Sequence, residues 1–582
     1  MPRHGTATSS PEGQAMDLTG KEIAMLVLRL LFGLLYSVYC MVETLVLTLI
    51  PRSYRRKDIK GNVILVTGGG SGIGRLMCIK LAARGAIVVT WDVSEEGNLE
   101  TVRQVVAAGG QCRAYTVDLC NRHAIYAAAT KLKQEVGKVS VPHLNYGLVD
   151  ILVNNAGIVT GKKLLDSPDE SIIRTFEVNA LSHFWTTKAF LRDMMALNKG
   201  HIVTIASMAG KLPCNGLVDY CSSKFAAVGF DESLRLEFKA EDDAHEELLQ
   251  VKKQEFDRSK AMDLTGKEIA ILVLRLLFGL VYSVYCMVET LVLTLIPRSY
   301  RRKDIRGNVT LVTGGGSGIG RLMCIKLAAR GAIVVTWDVN EEGNLETVRQ
   351  VVAAGGQCRA YTVDLCNRHA IYAAATKLKQ EVGKVSVPHL NYGLVDILVN
   401  NAGIVTGKKL LDSPDESIIK TFEVNILSHF WTTKAFLADM MARNKGHIVT
   451  IASMAGKIPC NRLVDYCSSK FAAVGFDESL RLELQVEGKT GIKTTVVCPV
   501  FISTGMFEGM TSKIFPVLKP EYVADETVDG ILLNTPIVYL PLSAKINVFL
   551  GLLLPQKVLY YLSEAVGLTH MMDTFVGRKK TK

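Results

Sequence analysis

The feature that most constrains the fold is an internal duplication that spans most of the chain. Residues Ala15–Glu237 recur as Ala261–Glu483 at a constant offset of 246, with no insertion or deletion. The two stretches differ at eleven positions, which are Met25/Ile271, Leu35/Val281, Lys60/Arg306, Ile64/Thr310, Ser94/Asn340, Arg174/Lys420, Ala180/Ile426, Arg192/Ala438, Leu197/Arg443, Leu212/Ile458 and Gly216/Arg462. A repeat this long is a whole domain, since solenoid units have about 20–50 residues. The sequence therefore predicts two copies of one fold.

The two copies end differently. The first copy, residues 61–238, passes into the highly charged stretch 239–260, which is typical of a solvated helix or linker. The second copy, residues 307–545, continues through Ile492–Pro499 and ends in an apolar segment and a basic tail, residues 546–582. We therefore predict that the first copy is truncated and that the second copy is complete.

Each copy alternates short apolar strands with segments of helical periodicity. In the second copy, a strand precedes the glycine-rich run Gly314–Gly320 and a helix follows it, while later strands end at Asp338, Asp364 and Asn400. Strands that alternate with helices of about ten to fifteen residues indicate an α/β fold with a doubly wound parallel sheet. The expected architecture is thus two tandem Rossmann-like domains.

The glycine-rich turn and the next strand predict a dinucleotide site. Glycines let the backbone approach a pyrophosphate, which then rests on amides at the helix N-terminus. The candidate contacts in this turn are Gly314, Gly318, Ile319 and Gly320. Asp338 ends the second strand, and a carboxylate there can accept hydrogen bonds from both ribose hydroxyls while repelling a 2′-phosphate, which favours NAD over NADP. Asp364 ends the third strand and is a candidate contact to the adenine edge.

A tyrosine and a lysine four residues apart predict acid–base chemistry. Tyr466 and Lys470 share one face of a helix. A free phenol titrates at about pH 10, and a neighbouring ammonium favours the phenolate, so we expect Lys470 to lower the pKa of Tyr466. Ser453 lies just beyond an apolar strand, where its hydroxyl can hold a substrate oxygen. For the pair alone, a surface tyrosine and lysine on an amphipathic helix is the alternative.

Several motifs together resemble the short-chain dehydrogenase/reductase family. They occur in that family's order and approximate spacing, and they are Thr313–Gly320, Asn400–Gly403, Asn425, Ser453, and Tyr466 with Lys470. Further runs resemble the membrane-bound retinol dehydrogenase branch, namely Asn401–Lys409, His429–Phe436, Gly491–Pro499 and Met572–Val576. The resemblance covers the second copy from about Gly307 to Thr504.

The resemblance implies a role for each matching residue. Tyr466 would take the alcohol proton as hydride leaves for the nicotinamide, and Ser453 would orient the alcohol. Lys470 would bind the nicotinamide ribose, and Asn425, in a helix expected over Thr421–Phe436, would hold a water that links Lys470 to solvent. The remaining cofactor contacts implied by the family are Asn401, Pro499 and Thr504. No metal site is expected.

The segment after the last motif indicates an apolar substrate. The family builds its substrate lid there, and this chain places Phe501, Ile502, Met506, Phe507 and Met510 in it. The resemblance therefore implies oxidation of a lipid alcohol, foremost all-trans-retinol to retinal with NAD⁺. A 17β-hydroxysteroid or another lipid alcohol is the alternative substrate. From another class, a non-catalytic membrane or lipid-droplet protein can retain the same fold.

The first copy keeps most of these motifs but lacks the last strands. Its counterparts of the site residues are Gly68, Gly72, Gly74, Asp92, Asn179, Ser207, Tyr220 and Lys224. It has no counterpart of Ile492–Thr504, so we predict that it is inactive. We expect either a homo-oligomer or pairing of the two copies within one chain through the helices with which family members dimerise. A fusion of two neighbouring duplicated genes also explains such a chain.

A long apolar run precedes each copy. Residues 23–50 follow an N-terminal tail, residues 1–22, and residues 269–296 follow the linker. A helix of 28 residues is about 42 Å long, which exceeds the bilayer core of about 30 Å. Arg29 and Glu43 lie within the first run, so a tilted span and an interfacial helix both stay open. We predict two membrane anchors. A second single span would invert the domain after it, so either the second anchor is interfacial or re-entrant, or one domain lies on the opposite side of the membrane.

Charge and cysteine content support a membrane partner. The net charge is +11, and short basic clusters follow both apolar runs, which favours a membrane surface over nucleic acid and places the following domains on the cytosolic side. The thirteen cysteines form no CxxC pair, which fits a reducing compartment. Lys579 and Lys580 resemble an endoplasmic-reticulum retrieval signal. The expected location is the endoplasmic reticulum membrane or the lipid droplet.

Overall fold

The computed structural model describes both copies but little of the segments around them. The described residues are 56–136, 149–241, 295–382, 394–510, 517–565 and 570–577, with the separate positions 38–40, 42, 43, 46, 50, 54 and 292. Most of the predicted N-terminal tail, both anchors, the charged linker and the terminal lysines therefore lie outside the described residues. Within the described part, no helix is long and apolar enough to cross a bilayer. The two anchors stay predictions.

The first copy is a five-stranded parallel sheet flanked by helices. Its strands are β1 (Val63–Thr67), β2 (Ile87–Asp92), β3 (Gln111–Thr116), β4 (Ile151–Asn154) and β5 (His201–Thr204). Its helices are α1 (Gly72–Ala82), α2 (Glu95–Ala107), α3 (Arg122–Val136), α4 (Asp169–Phe176), a π-helix (Glu177–Leu181), α5 (Ser182–Ala196) and α6 (Val218–Glu241), with a 3₁₀ turn at Met208–Gly210. The strand order is β3-β2-β1-β4-β5.

The second copy repeats this sheet and adds two strands. Its strands are β6 (Val309–Thr313), β7 (Ile333–Asp338), β8 (Gln357–Thr362), β9 (Ile397–Asn400), β10 (Gly446–Ile451), β11 (Ile492–Pro499) and β12 (Ile537–Leu540). Its helices are α7 (Arg298–Arg301), α8 (Gly318–Ala328), α9 (Glu341–Ala353), α10 (Arg368–Val382), α11 (Asp415–Phe422), a π-helix (Glu423–Leu427), α12 (Ser428–Arg443), α13 (Val464–Val486), α14 (Pro520–Leu532), α15 (Ala544–Leu553) and α16 (Gln556–Ala565), with 3₁₀ turns at Leu410–Asp412 and Met454–Gly456. The strand order is β12-β11-β10-β9-β6-β7-β8, so the predicted doubly wound parallel sheet is confirmed.

The central strand of the second copy explains where a ligand can bind. All five residues of β6 are buried, as expected for an inner strand of a parallel sheet that is covered on both faces. β6 pairs with β7 on one side and with β9 on the other. The strand order therefore reverses at β6, and ligands of such sheets bind in the crevice at the carboxyl ends of the strands beside this reversal.

The missing strands change the edge of the first copy. In the second copy, β10 pairs with both β9 and β11, and all six of its residues are buried. The counterpart β5 pairs with β4, is four residues long and has one buried residue, Ile202. Unpaired backbone groups at a sheet edge are costly to bury, so the shortening of β5 follows from the loss of its outer neighbour.

The two copies pack together mainly through one helix from each, α6 and α13. On α6, Ser222 Oγ donates a hydrogen bond to the carbonyl of Ala472, and on α13, Ser468 Oγ donates to the carbonyl of Ala226, both at 2.8 Å. Each donor lies at the position in one copy that corresponds to the donor in the other. Reciprocal contacts of this kind define an interface with twofold symmetry. The pairing of copies within one chain is therefore the arrangement that this structure has.

Reciprocal ion pairs extend the same interface. Lys188 pairs with Asp415, and Lys434 pairs with Asp169; every side chain in the two pairs is less than one-fifth exposed. The backbone amide of Leu164 donates to Glu483 Oε1 at 3.0 Å, and the amide of Leu410 donates to Glu237 at 2.8 Å. The Glu483 carboxyl is desolvated there, and this burial raises its pKa to about 7. The interface thus combines apolar packing with paired buried charges.

Loss of either interface lysine should lower the free energy of unfolding of the whole chain by a similar amount. We expect Lys188→Ala and Lys434→Ala each to lower the free energy of unfolding by about 2 kcal/mol, because each leaves a mostly buried aspartate without its cation. Arg103→Ala serves as the control, since the Arg103–Glu100 pair lies at the surface and such pairs contribute about 0–1 kcal/mol. Urea denaturation measures all three. Equal stability of the interface variants and the control would contradict the interface.

Candidate active site

One cavity of about 2560 Å³ contains nearly all the predicted site residues. It lies at the carboxyl ends of the central strands in the second copy and extends to the first copy, where Ser207 after β5 and Phe225 and Arg235 of α6 also line it. Those that line it are Gly314, Gly318, Ile319, Gly320, Asp338, Asp364, Asn401, Ser453, Tyr466, Lys470, Pro499 and Thr504. Residues about 190 positions apart in sequence are therefore brought to one cleft, as the parallel topology requires.

The glycine turn after β6 has no room for side chains. Gly314 has a φ of +65°, and a Cβ there would lie 2.8 Å from Ala402 Cα. A Cβ on Gly320 would lie 2.1 Å from the carbonyl oxygen of Gly314. Asn401 fixes this turn, because its Nδ2 donates to the carbonyls of Thr313 at 2.8 Å and Gly314 at 3.1 Å. The turn is thus a bare backbone surface at the start of α8, which is the form that binds a pyrophosphate.

The carboxylate of Asp338 lies beside this turn. Its Oδ2 accepts the amide of Gly316 at 2.9 Å, and its Oδ1 accepts the amide of Asn340 at 2.9 Å. A carboxylate has about four lone-pair sites, so acceptor capacity is left for two ribose hydroxyls. Asp364, which is exposed, lies on the same wall and accepts the amide of Cys366 at 3.0 Å. This wall has the carboxylates that the sequence predicts for an adenosine.

The other half of the cleft is closed by the segment that follows β11. A Cβ on Gly318 would lie 3.4 Å from Thr504 Cγ2, so Thr504 reaches across the cleft to the glycine turn. Asn401 Oδ1 is buried, has no hydrogen-bond partner among the described residues, and belongs to a residue that lines the same cavity. Buried acceptors are normally paired, so this atom is available to a ligand donor. The bare turn, the carboxylate and this free acceptor together fit a dinucleotide.

The predicted catalytic side chains are brought together at the end of α13. Tyr466 is 5% exposed and Lys470 is 3% exposed, and the lysine Nζ lies 5.7 Å from the centroid of the tyrosine ring. Lys470 Nζ donates to the carbonyl of Ile451 at 2.9 Å. Ser453 Oγ accepts the amide of Ala455 at 3.1 Å and donates to the carbonyl of Pro499 at 3.3 Å. The three residues therefore line one wall of the cavity.

The structure corrects the expected pKa of the tyrosine. Burial raises the pKa of Tyr466 above its ordinary value, and hydrogen bonding to Ser453 opposes this rise. Burial also lowers the pKa of Lys470 to about 8. The net direction is opposite to the predicted one, because desolvation of the phenol outweighs any lowering by the ammonium 5.7 Å from the ring centroid. Proximity in sequence could not reveal this burial.

Asn425 lies behind Lys470 and outside the set that lines the cavity. It belongs to the π-helix Glu423–Leu427, where a regular helix over Thr421–Phe436 was expected. Its Oδ1 accepts the amide of Ile404 at 2.8 Å, and its Nδ2 donates to the Ile404 carbonyl and to Ser469 Oγ, both at 3.0 Å. A Cβ on Gly403 would lie 3.4 Å from Lys470 Nζ and 3.5 Å from Asn425 Oδ1. The widened turn therefore brings the amide close to the lysine, and its role with a water stays a prediction.

Aromatic side chains cover Tyr466, the predicted catalytic tyrosine. The ring of Phe507 meets the ring of Tyr466 edge-on at 5.7 Å, and Phe501 meets Phe507 at 5.1 Å. Ile502 and Met506 of the predicted lid also line the cavity, and Met510 belongs to the same apolar cluster. Met572 and Phe575, near the end of the chain, complete this cluster. The run Met572–Val576 carries only a resemblance in the sequence, and the sequence prediction did not place these two residues at the site.

The first copy keeps the catalytic geometry but not its surroundings. Lys224 Nζ donates to the carbonyl of Ile205 at 2.9 Å and lies 5.9 Å from the ring centroid of Tyr220. Tyr220 and Ser207 are only half-buried, whereas Tyr466 and Ser453 are buried. Ser207 accepts the amide of Ala209, and the chain provides no counterpart of Pro499 for its hydroxyl. The retained residues are therefore an open half-site.

Comparison with known proteins identifies relatives of both copies. The sequence profile described as short chain dehydrogenase matches residues 62–242 and 308–514. Epidermal retinol dehydrogenase 2 of Homo sapiens is 44% identical over 302 residues, which are 51% of this chain and 94% of that protein. Short-chain dehydrogenase/reductase family 16C member 6 of Bos taurus is 42% identical over 301 residues, or 51% of this chain and 92% of that protein. 17-beta-hydroxysteroid dehydrogenase 13 of Homo sapiens is 43% identical over 310 residues, which are 53% of this chain and 98% of that protein.

The depressed pKa of Lys470 predicts a pH-dependent contribution to stability. The folded chain releases this proton at about pH 8, whereas an exposed lysine keeps it to about pH 10.4, so the free energy of unfolding should rise with pH between these values. We expect Lys470→Met to gain less stability than the wild type from about pH 8 to about pH 10. Urea denaturation across this range measures the slope, with Lys131→Met, at an exposed position, as the control. An unchanged slope in Lys470→Met would contradict the burial of a titrating ammonium.

Proposed function

The chain belongs to the short chain dehydrogenase family, a family of oxidoreductases, and on this premise we propose that its second copy oxidises a lipophilic alcohol with NAD⁺. The proposed reaction is the conversion of all-trans-retinol to retinal. The observation that supports it most strongly is that Ser453, Tyr466 and Lys470 line one cavity with a bare glycine turn at one end and an aromatic lid at the other.

Tyr466 is the proposed proton acceptor. NAD⁺, when bound, supplies the hydride acceptor and a positive charge. Tyr466 Oη receives the proton of the alcohol, and the charge of Lys470, 5.7 Å from the ring centroid, stabilises the phenolate state. Because burial alone raises the pKa of Tyr466, the tyrosine depends on such a cation to work near neutral pH. Lys470 can pass a proton on, since its own pKa is about 8.

Ser453 is the proposed positioning group for the alcohol oxygen. Its hydroxyl donates to the carbonyl of Pro499 at 3.3 Å, a long hydrogen bond that a substrate oxygen can replace. A hydroxyl fixed in this way stabilises the charge that develops on the oxygen as the carbonyl forms. Ser453 and Tyr466 would then hold the same oxygen from two sides.

Asp338 supports NAD as the cofactor. Its carboxylate is fixed by the amides of Gly316 and Asn340, next to the place where the adenosine ribose of a dinucleotide would lie. A fixed negative charge there repels the 2′-phosphate of NADP. The residues Gly314, Gly318, Ile319, Gly320, Asp364, Asn401, Pro499 and Thr504 are the other proposed contacts.

The apolar lid and the names of the relatives support a lipid alcohol as substrate. One similar protein is named for retinol and another for 17β-hydroxysteroids, so a hydroxysteroid is the second candidate. Comparison of all-trans-retinol with estradiol and testosterone, each with NAD⁺ and with NADP⁺, separates the candidates. No NADH from any lipid alcohol would instead favour a binding protein that retains the fold. The basic clusters and apolar runs of the sequence support a location at the endoplasmic reticulum membrane or lipid droplet, with the catalytic domain in the cytosol.

Paired substitutions at the two tyrosines test which copy is active. We expect Tyr466→Phe to lower the turnover of retinol by at least about 100-fold, because the phenol is the proposed proton acceptor. Tyr220→Phe removes the same atom from the half-site of the first copy and should leave turnover unchanged. NADH formation by membrane fractions that contain the full chain measures both. A large loss in Tyr220→Phe would contradict the assignment of activity to the second copy.

A further inference from the structure

The C-terminal segment, residues 570–577, lies against the substrate lid of the second copy. We propose that this segment is a cap that selects elongated apolar alcohols, and that Arg462 is the positioning residue that holds it. The inference rests on the proposed function, because it concerns the substrate of the same site. Four sets of contacts carry it.

The first set is apolar packing beside the catalytic tyrosine. Met572 is 1% exposed and belongs to one buried cluster with Tyr466, Ala455 and Leu463. The ring of Phe575 lies 6.3 Å from the ring of Phe507, which meets Tyr466 edge-on at 5.7 Å. One side chain therefore separates the cap from the catalytic ring, and a long substrate that fills the lid reaches the cap.

The second set joins the cap to the lid through backbone hydrogen bonds. The amides of Val576 and Gly577 both donate to the carbonyl of Glu508, at 2.9 Å and 3.1 Å. Thr574 Oγ1 donates to the carbonyl of Gly509 at 2.5 Å. The lid and the cap are thus one hydrogen-bonded unit, and a displacement of the cap displaces the lid that covers Tyr466.

The third set is an ion pair at a position where the two copies differ. Arg462 Nε lies 3.3 Å from Asp573 Oδ1. Arg462 has a φ of +60°, which is unfavourable for any residue except glycine, and the first copy has Gly216 there with a φ of +68°. Of two otherwise nearly identical sequences, the one with the cap carries an arginine at this strained position. The ion pair to the cap is a contact that Arg462 makes and that a glycine at this position cannot make.

The fourth set is the contact of the Phe575 ring with the backbone of a buried glycine, Gly407. A Cβ on Gly407 would lie 2.0 Å from Phe575 Cε1, so the ring rests directly on the Gly407 backbone. The first copy has Gly161 at the same place with the same φ of +67°, and a Cβ on Gly161 would have no contact within 4 Å among the described residues. The same substitution at the two glycines therefore causes the same backbone strain, and only Gly407→Ala also displaces the ring of the cap.

This matched pair gives the test. In the full chain, we expect Gly407→Ala to lower the ratio of kcat/KM for all-trans-retinol to kcat/KM for prenol, a short allylic alcohol, by about tenfold, through KM for retinol. Gly161→Ala should leave the ratio unchanged. Hydrogen exchange at the amides of Val576 and Gly577 should become faster in Gly407→Ala alone. Arg462→Gly, whose backbone suits glycine, should shift both readouts in the same direction.

The outcomes separate the cap from the proposed function. The same ratio in Gly407→Ala and Gly161→Ala would overturn the cap, and so would faster exchange of the cap with no change in the ratio. If the wild-type chain oxidises neither alcohol, the proposed function fails. The cap is then tested by the equilibrium binding of retinol, which is measured from the fluorescence of retinol. Weaker binding in Gly407→Ala than in Gly161→Ala would sustain the cap, and equal binding would overturn it.

Discussion

The pairing of β11 with β10 is the interaction on which the site of the second copy depends. Six residues of β10 are in register with β11, from Gly446 beside Ile492 to Ile451 beside Val497. This register carries the chain to Pro499, whose carbonyl accepts the Ser453 hydroxyl, and then to Thr504 against the glycine turn. The aromatic lid is part of the same continuous segment. One added strand thus supplies the side of the cleft proposed for the nicotinamide, the environment of the serine and the lid.

The first copy shows what the same sequence forms without that strand. Its lysine keeps the hydrogen bond to the preceding strand, at 2.9 Å in both copies, so the tyrosine–lysine geometry is a property of the helix and strand that carry it. The burial that shifts the pKa of Tyr466 comes from β11 and the segment that follows it, which the first copy lacks. A complete set of catalytic residue types is therefore insufficient for a closed site.

The first copy also supports the second one. Ser468 lies between Tyr466 and Lys470 on α13, and it donates its hydrogen bond to Ala226 of α6. The helix that carries Tyr466 and Lys470 is thus held on its other face by the first copy, and the reciprocal ion pairs keep both copies in this arrangement. The duplication thus places both sides of a twofold interface within one chain.

The sequence was sufficient where local pattern decides the structure. The strand, glycine turn and helix around Gly314 and the aspartate at the end of β7 lie where the pattern predicts, because short-range sterics and strand length set them. The π-helix at Asn425, the direction of the Tyr466 pKa shift and the contact of Phe575 with Gly407 could not be predicted, since each arises from packing between distant segments. The apolar runs 23–50 and 269–296 remain expectations of the sequence, because they lie largely outside the described residues.

The most direct test of the central claim is an experimental structure of the full chain with NAD⁺ bound. We predict a nicotinamide ring ordered between Thr504 and the Ser453–Tyr466 pair of the second copy, with the adenosine ribose on Asp338. A nicotinamide ordered against Tyr220 of the first copy, or a Tyr466 hydroxyl turned away from the nicotinamide, would contradict it.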